Sequence, residues 1–574
     1  AHAAADDELA KRHDLESITV IGRDGRMLEN AGKAGGMTTQ EAREFVAHWL
    51  EKAGLLEQVE EIDQQLSTAE RSGGVIEPLP MEQWFIDVNK EFDRDGKMVT
   101  LKSLMQAAVR EKEIEILPER FEKTYFHWID NLRDWNISRQ IWFGHRVPVW
   151  RKGDEMVVGD APEGEGWEQE SDTLDTWFSS GIWTFSTLGW PNEEAADYKK
   201  FHPTSVLETG YDIIFFWVAR MILMSTYLVG EVPFKQVYLH GLVRDEQGRK
   251  MSKSLGNIIN PLDMIQEFGA DATRLSLMIG STPGSDVKLS EEKIAGFRNF
   301  TNKLWNISRF VFMSVDEVRQ IAEMPEPVTA ADGWILHRLS EVTQKATEHY
   351  EKHEFSAVGE LLREFTWSEF ADWYVEVAKI QMSPRTQEIL LYVLEAILKL
   401  WHPFMPFVTE VLYEQFNAGL LAVAEWPSLD YVNTDAVQAF NRLQEVATFA
   451  RNIRAQYNVA YSNPIIIELE SALLDDASVA AIQSLTKAES VNQTGTFSEG
   501  QSAAAVVAGV KVQIPLEGLV DFEAEKNRLQ KELAKLEGYV KSLEGQLANE
   551  GFLANAGADV VEARKASLAE AKQN

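Results

Sequence analysis

The 574-residue chain contains no cysteine. Disulfides, thiolate metal sites and cysteine nucleophiles are thereby excluded, and the composition fits a reducing compartment. Basic residues are in the minority. Lys and Arg number 56 against 90 Asp and Glu, a formal net charge of -34 at pH 7. Proteins that bind nucleic acid without preference are usually basic, so any phosphate contact here depends on local placement of cations. No apolar run approaches the roughly 20 residues that cross a bilayer, and no membrane partner is expected. The opening AHAAADDELAKRH has neither the basic flank nor the apolar core of a signal peptide. It also lacks an initiating Met and reads as the middle of a longer polypeptide.

What is present is the composition of a soluble globular protein, 45% hydrophobic and 25% charged. The length calls for roughly three to five domains. ESITVIG, from Glu16, predicts a strand. TTQEAREFVAHWLEKAGLLEQ predicts a helix capped by Thr38, with Glu41 closing a capping box and Gly54 stopping it. RSGGVIEPLP marks a boundary. PFKQVYLHGLV predicts a strand, and Asn260-Pro261 the start of a helix. From Ser290 to about Gln415 the apolar spacing is helical, interrupted by HPFMPF. PIIIELES and VKVQIPL are strand-like. Near the end, Leu529, Leu533, Leu536, Val540, Leu543 and Leu547 alternate spacings of four and three, a coiled-coil seam. A second helix, VVEARKASLAEAK, completes an antiparallel hairpin.

Between the strand and the helix lies QGRKMSKSLGN. Lys250 and Lys253 sit on a short turn bracketed by Gly248 and Gly256, with Ser252 and Ser254 beside them. Ammonium groups are compact charges that can follow a phosphate as it moves. A bendable cationic turn can stabilise charge that grows on departing pyrophosphate. A solvated basic turn is the bland alternative for two lysines alone.

KMSKS, from Lys250, resembles the signature loop of class I aminoacyl-tRNA synthetases. DNLRDWNISRQIWFGHRVPVW, DTLDTWFSSGIWTFSTLGWP, LETGYDIIFFWVARMI and KLWNISRFV resemble the valyl-tRNA synthetases among them. The isoleucyl relatives usually have Asp where this chain has Ser179 and lack the Gly144-His145 pair. The resemblance implies a multidomain α/β plus all-α chain. Residues 1–72 would be the end of an editing domain, and 73–289 the second half of a Rossmann-like catalytic domain. A helical anticodon-binding bundle over 290–420, a mixed α/β extension over 421–519 and a coiled-coil tRNA-binding arm over 520–574 would follow. The chain contains no HxGH, the second phosphate-binding motif of the class, so it reads as incomplete and unable by itself to form an adenylate.

The resemblance also assigns roles. Lys250 and Lys253 would be catalytic. ATP would meet Lys250, Met251, Ser252, Lys253 and Ser254, with His240 as a further contact. Asp212 would hold the α-ammonium of valine, and Trp177, Ile213 and Trp217 would wall the cavity, although spacing alone would make both tryptophans core. Such a cavity limits size well and polarity poorly, and valyl-tRNA synthetases are the known illustration, rejecting threonine only weakly by binding. Asp6 falls where the editing motif places its ammonium anchor, or it merely caps the following helix. Ala3 and Asp7 depart from that motif. Arg139 and His145 could touch the tRNA acceptor end or be structural. Phe365, Trp367 and Trp373 could stack on unpaired bases or belong to the core. The implied partners are tRNA(Val), valine and ATP with its Mg²⁺, with no zinc site, in a cytoplasmic monomer. The alternatives are a non-catalytic tRNA-binding paralogue or an isoleucyl-tRNA synthetase.

Overall fold

The computed structural model describes residues 9–60, 67–69, 72–77, 79–253, 255–416, 419–472, 474–520, 522–549 and 557–573. Asp6 and Ser254 lie outside the described residues. The chain divides into two compact units, one of Ala1–Leu207 with Asp212–Gln236, the other of Glu208–Tyr211 with Val237–Asn574.

In the first unit Thr38 and Glu41 form the expected capping box at the head of helix Thr39–Lys52. The strand expected at ESITVIG does not form. Only an isolated bridge joins Ile21 to Met27, and Ile18 stays exposed, because a strand-like sequence is stable only where a neighbour completes its ladder. Helix Ala219–Leu228 packs on helices Leu101–Arg110 and Thr176–Gly181. Its approach to the latter needs glycine: a Cβ at Gly181 would lie 3.0 Å from Met224 Cγ and 3.3 Å from the Arg220 carbonyl. The segment Tyr211–Leu228 does reach the length and hydropathy of a short membrane span, contrary to the sequence reading. Every residue from Ala219 to Thr226 is nevertheless buried within the protein, which gives its apolar character an ordinary cause.

His202 lies in the same unit with its ring stacked on Tyr198, centroids 5.1 Å apart, and edge-on to Phe185. Both ring nitrogens are buried without a hydrogen-bond partner. Burial pulls its pKa below the usual value, only partly offset by Glu231. The unfolded chain therefore takes up this proton first as pH falls, and the folded state loses stability below about pH 6.5. On acidification from about pH 7 to 5, the melting temperature should fall further for the wild type than for His202→Phe. Parallel curves in a thermal scan would refute this.

The second unit is mostly helical. Glu291–Ser314, Ala330–Glu351, Phe355–Glu364, Pro384–Trp401, Pro406–Tyr413 and Thr434–Gln456 share one core. Within HPFMPF, Met405 is the N-cap and Pro406 opens the next helix. A π-helical stretch, Phe365–Tyr374, carries the three aromatics of the sequence reading. Phe365 is fully buried and belongs to the core. Trp367 stacks on Phe300 beneath Lys303, and Trp373 lies under Arg451. A four-stranded sheet follows, in the order Ala488–Asn492, Ile465–Leu469, Val510–Pro515, Ser502–Val507. Its first pair is parallel and the rest antiparallel. Buried Arg454 holds its border by donating to the carbonyls of Ala460, Asn463, Thr486 and Lys487 at 2.8–3.0 Å.

Helices Phe522–Ala548 and Ala558–Gln573 pack together, with Lys572 Nζ 2.7 Å from Glu544. The apolar seam is engaged over its second half, from half-buried Leu536 onward. Leu543 is 1% exposed, but Leu529 and Leu533 are 50% and 57% exposed. The second helix has 16 residues against 27, too few to cover the stripe.

Candidate functional site

The lysine turn is built in the second unit from a strand end. Val237 and Leu239 point into the core, and Tyr238 packs edge-on to His353 and Phe355 at 5.8 and 5.7 Å. His240 ends the strand in an exposed position. Its Nδ1 is 2.7 Å from the Gly241 carbonyl oxygen and its Nε2 3.1 Å from Glu208. A Cβ on Gly241 would sit 1.9 Å from the Ser285 carbonyl oxygen, so two backbones cross where only glycine fits.

Asp286, next to that crossing, gathers the base of the turn. It accepts from the Leu242 amide and the Tyr211 hydroxyl, each at 2.9 Å, and pairs with Arg244. The bond to Asp286 raises the Tyr211 pKa. Val243–Arg244 then pairs in parallel with Val287–Lys288.

Asp245 closes the turn from inside. Its Oδ1 accepts the Arg249 amide at 2.7 Å, and its Oδ2 accepts Arg249 Nε at 2.8 Å and Asn257 Nδ2 at 2.9 Å. Asn257 first, with the Arg249 contacts, holds the Asp245 carboxyl down to about 2. Asn257 Oδ1 in turn accepts the Ser252 amide at 2.9 Å, and its Nδ2 also reaches the Lys250 carbonyl. Met251 is seated against the hydrophobic core. Lys250 and Lys253 are exposed on either side of it, and neither ammonium has an ion pair among the described residues. The helix beyond, Pro261–Phe268, has Asn260 as its side-chain cap.

The aromatic residues assemble in the first unit. Asp175 caps helix Thr176–Gly181. It also accepts Trp135 Nε1 at 3.0 Å and pairs with Arg139 at 2.9 Å. Arg139 donates further to the carbonyls of Asn136 and Ser138, so in this structure it braces the fold. Trp177 stacks on Phe216 with centroids 5.9 Å apart. Trp217 Nε1 donates to the Ser180 carbonyl at 3.2 Å, and its ring lies beside Trp183. The two predicted tryptophans therefore stand on neighbouring elements. Asp212 and Ile213 precede a π turn, Ile214–Val218, a form that recurs at functional sites. Asp212 is exposed and makes no hydrogen bond or ion pair among the described residues. Arg220, 7% exposed, is held between Trp135 and Phe215, its carbon 4.0 and 5.0 Å from the ring centres. Burial lowers its pKa to about 10, and its Nη1 has no partner.

Phe216, Asp175, Asp245, Asn257 and Asp286 escaped the sequence reading. The G-N after KMSKS was the one visible hint of Asn257. No group of three or more His, Asp or Glu side chains among the described residues could hold a metal ion.

Three family models match. Residues 42–166 and 158–290 match tRNA synthetases class I (I, L, M and V), 332–470 the anticodon-binding domain of tRNA ligase, and 521–574 the valyl tRNA synthetase tRNA binding arm. Valine–tRNA ligase of Bacillus subtilis is 41% identical over 98% of this chain and 65% of its own length, and that of Geobacillus kaustophilus has the same values. The chain thus spans 65% of the length of these relatives. A structure of Mycobacterium tuberculosis methionyl-tRNA synthetase in complex with methionyl-adenylate covers 56% of this chain and is itself covered to 67%. It is 20% identical with a TM-score of 0.45, too remote to place any residue. The relatives agree with the motifs along almost the whole sequence, and the chain belongs to the valine–tRNA ligase family of class I aminoacyl-tRNA synthetases.

Proposed function

We propose that the complete protein activates valine with ATP and transfers it to tRNA(Val). One observation carries this reading. A turn anchored through Met251 leaves two ammonium groups, Lys250 and Lys253, without an ion pair among the described residues, at the mouth of a strand–turn–helix unit. In the first step a carboxylate oxygen of valine attacks the α-phosphorus, and the bond to pyrophosphate breaks. In the second, a terminal ribose hydroxyl of the tRNA attacks the adenylate carbonyl and AMP leaves. Neither step needs a covalent protein nucleophile, so positioning and charge stabilisation supply the rate. Lys250, Met251, Ser252, Lys253, Ser254 and His240 attend the nucleotide, whose Mg²⁺ travels with its phosphates. Asp212 takes the valine ammonium, and Trp177, Ile213 and Trp217 bound its side chain. The helical bundle and the terminal helices are the tRNA-binding parts, and Asp6 is the candidate anchor for clearing mischarged threonine. The protein acts as a cytoplasmic monomer.

Asp212→Asn should raise the KM for valine about 10–100-fold, the loss of one charge-assisted contact, and leave the KM for ATP unchanged. Amino-acid-dependent ATP–pyrophosphate exchange by the complete protein measures both. Exchange that prefers isoleucine, or none with any amino acid, would overturn the assignment; the latter is the behaviour of a non-catalytic paralogue.

A further inference from the structure

We infer that Asp245 and Asn257 are positioning residues for adenylate formation, a clasp that fixes the peptide groups of the lysine turn and thereby aims Lys250 and Lys253. The inference rests on the assignment of those lysines to the polyphosphate.

The geometry is specific. One amide side chain, Asn257, ties two peptide groups of the turn, the Ser252 N–H at 2.9 Å and the Lys250 carbonyl at 3.3 Å. These two groups frame Met251 and fix the backbone from which both lysines project. The amide can serve them only in one orientation, and Asp245 sets it. Its Oδ2 lies 2.9 Å from Asn257 Nδ2, where only a donor is tolerated. Asp245 is 6% exposed, so water is a poor substitute. Each of its oxygens is committed to donors, Oδ1 to the Arg249 amide and Oδ2 to Arg249 Nε and Asn257. An asparagine at 245 has one oxygen, so its NH₂ must face a donor and one side of the clasp opens. Neither residue need touch a substrate, because their effect passes through the lysines. Misplacement of a charged group by about 1 Å is enough to slow a step on the order of 100-fold.

The test uses the complete protein and separates the two chemical steps. Asp245→Asn should slow single-turnover valyl-adenylate formation about 10–100-fold. The KM for valine, and the transfer of preformed valyl-adenylate to tRNA, should be unchanged. Asn257→Asp, which opposes two carboxylates, should be at least as severe. The double variant, with the two side chains exchanged, should recover part of the loss, since the carboxylate and the amide then face each other again. Asn257→Ala serves if Asp245→Asn does not fold. Equal slowing of both steps, or loss that tracks the melting temperature, would make the pair merely structural and overturn the inference. An unchanged first step would do the same. Lys253→Ala in the same assay separates the two ideas. If it is slow while Asp245→Asn is normal, the clasp fails and the lysine assignment stands. If neither is slow, the lysine assignment itself fails.

Discussion

Lys253→Ala in the complete protein should slow valyl-adenylate formation by about 100–1,000-fold, the usual cost of removing one group that stabilises developing charge. The KM for valine should stay unchanged, because a group that binds more strongly in the transition state than in the ground state acts on the rate. Lys253 is exposed and unpaired among the described residues, so its removal breaks no internal contact and the melting temperature should not move. Rapid-quench measurement of adenylate, alongside a thermal scan, checks all three statements. Equal losses in rate and in valine affinity would refute the role.

Gly241→Ala should destabilise the second unit by about 3 kcal/mol or more, at the upper end of what overpacking costs. The added methyl would run into the Ser285–Asp286 peptide group, with Ser285 O at 1.9 Å, Ser285 C at 2.1 Å and Asp286 N at 2.5 Å. No side-chain rotation relieves it. The segment that must give way holds Asp286, which ties Leu242, Arg244 and Tyr211 together. Stability and the setting of the lysine turn should therefore fail together. Urea unfolding of the purified chain measures the first. An unchanged midpoint would show that the crossing can relax at little cost.

The lysine turn was legible because its chemistry is contiguous: five neighbouring residues, a strand before and a capped helix after. Its supports were not. Asp286 lies 44 residues from Leu242 and 75 from Tyr211, and an isolated aspartate carries no periodicity. Trp177 and Trp217, named from the motifs, stand on neighbouring elements, but the stack of Phe216 on Trp177 was hidden, since the π turn shifts the phase of the helix and breaks the 3.6-residue pattern. The seam at the end of the chain was visible as a pattern. How much of it is covered depends on the length of the opposing helix, which the stripe does not encode. ESITVIG failed for the converse reason: its residue types suit a strand, and among the described residues no neighbouring strand pairs with it.

The ammonium groups of Lys250 and Lys253, which have no ion pair among the described residues, stand on a chain whose formal net charge is -34. At a distance, such a molecule repels a polyanion, and up close this one turn attracts it. At physiological ionic strength the screening length is about 8 Å, so the repulsion is damped beyond that range and the attraction at contact is damped least. Under the proposed function, salt thus works in opposite directions on the approach of a polyphosphate and on its grip, and the nucleotide would be captured by touch rather than drawn in from afar.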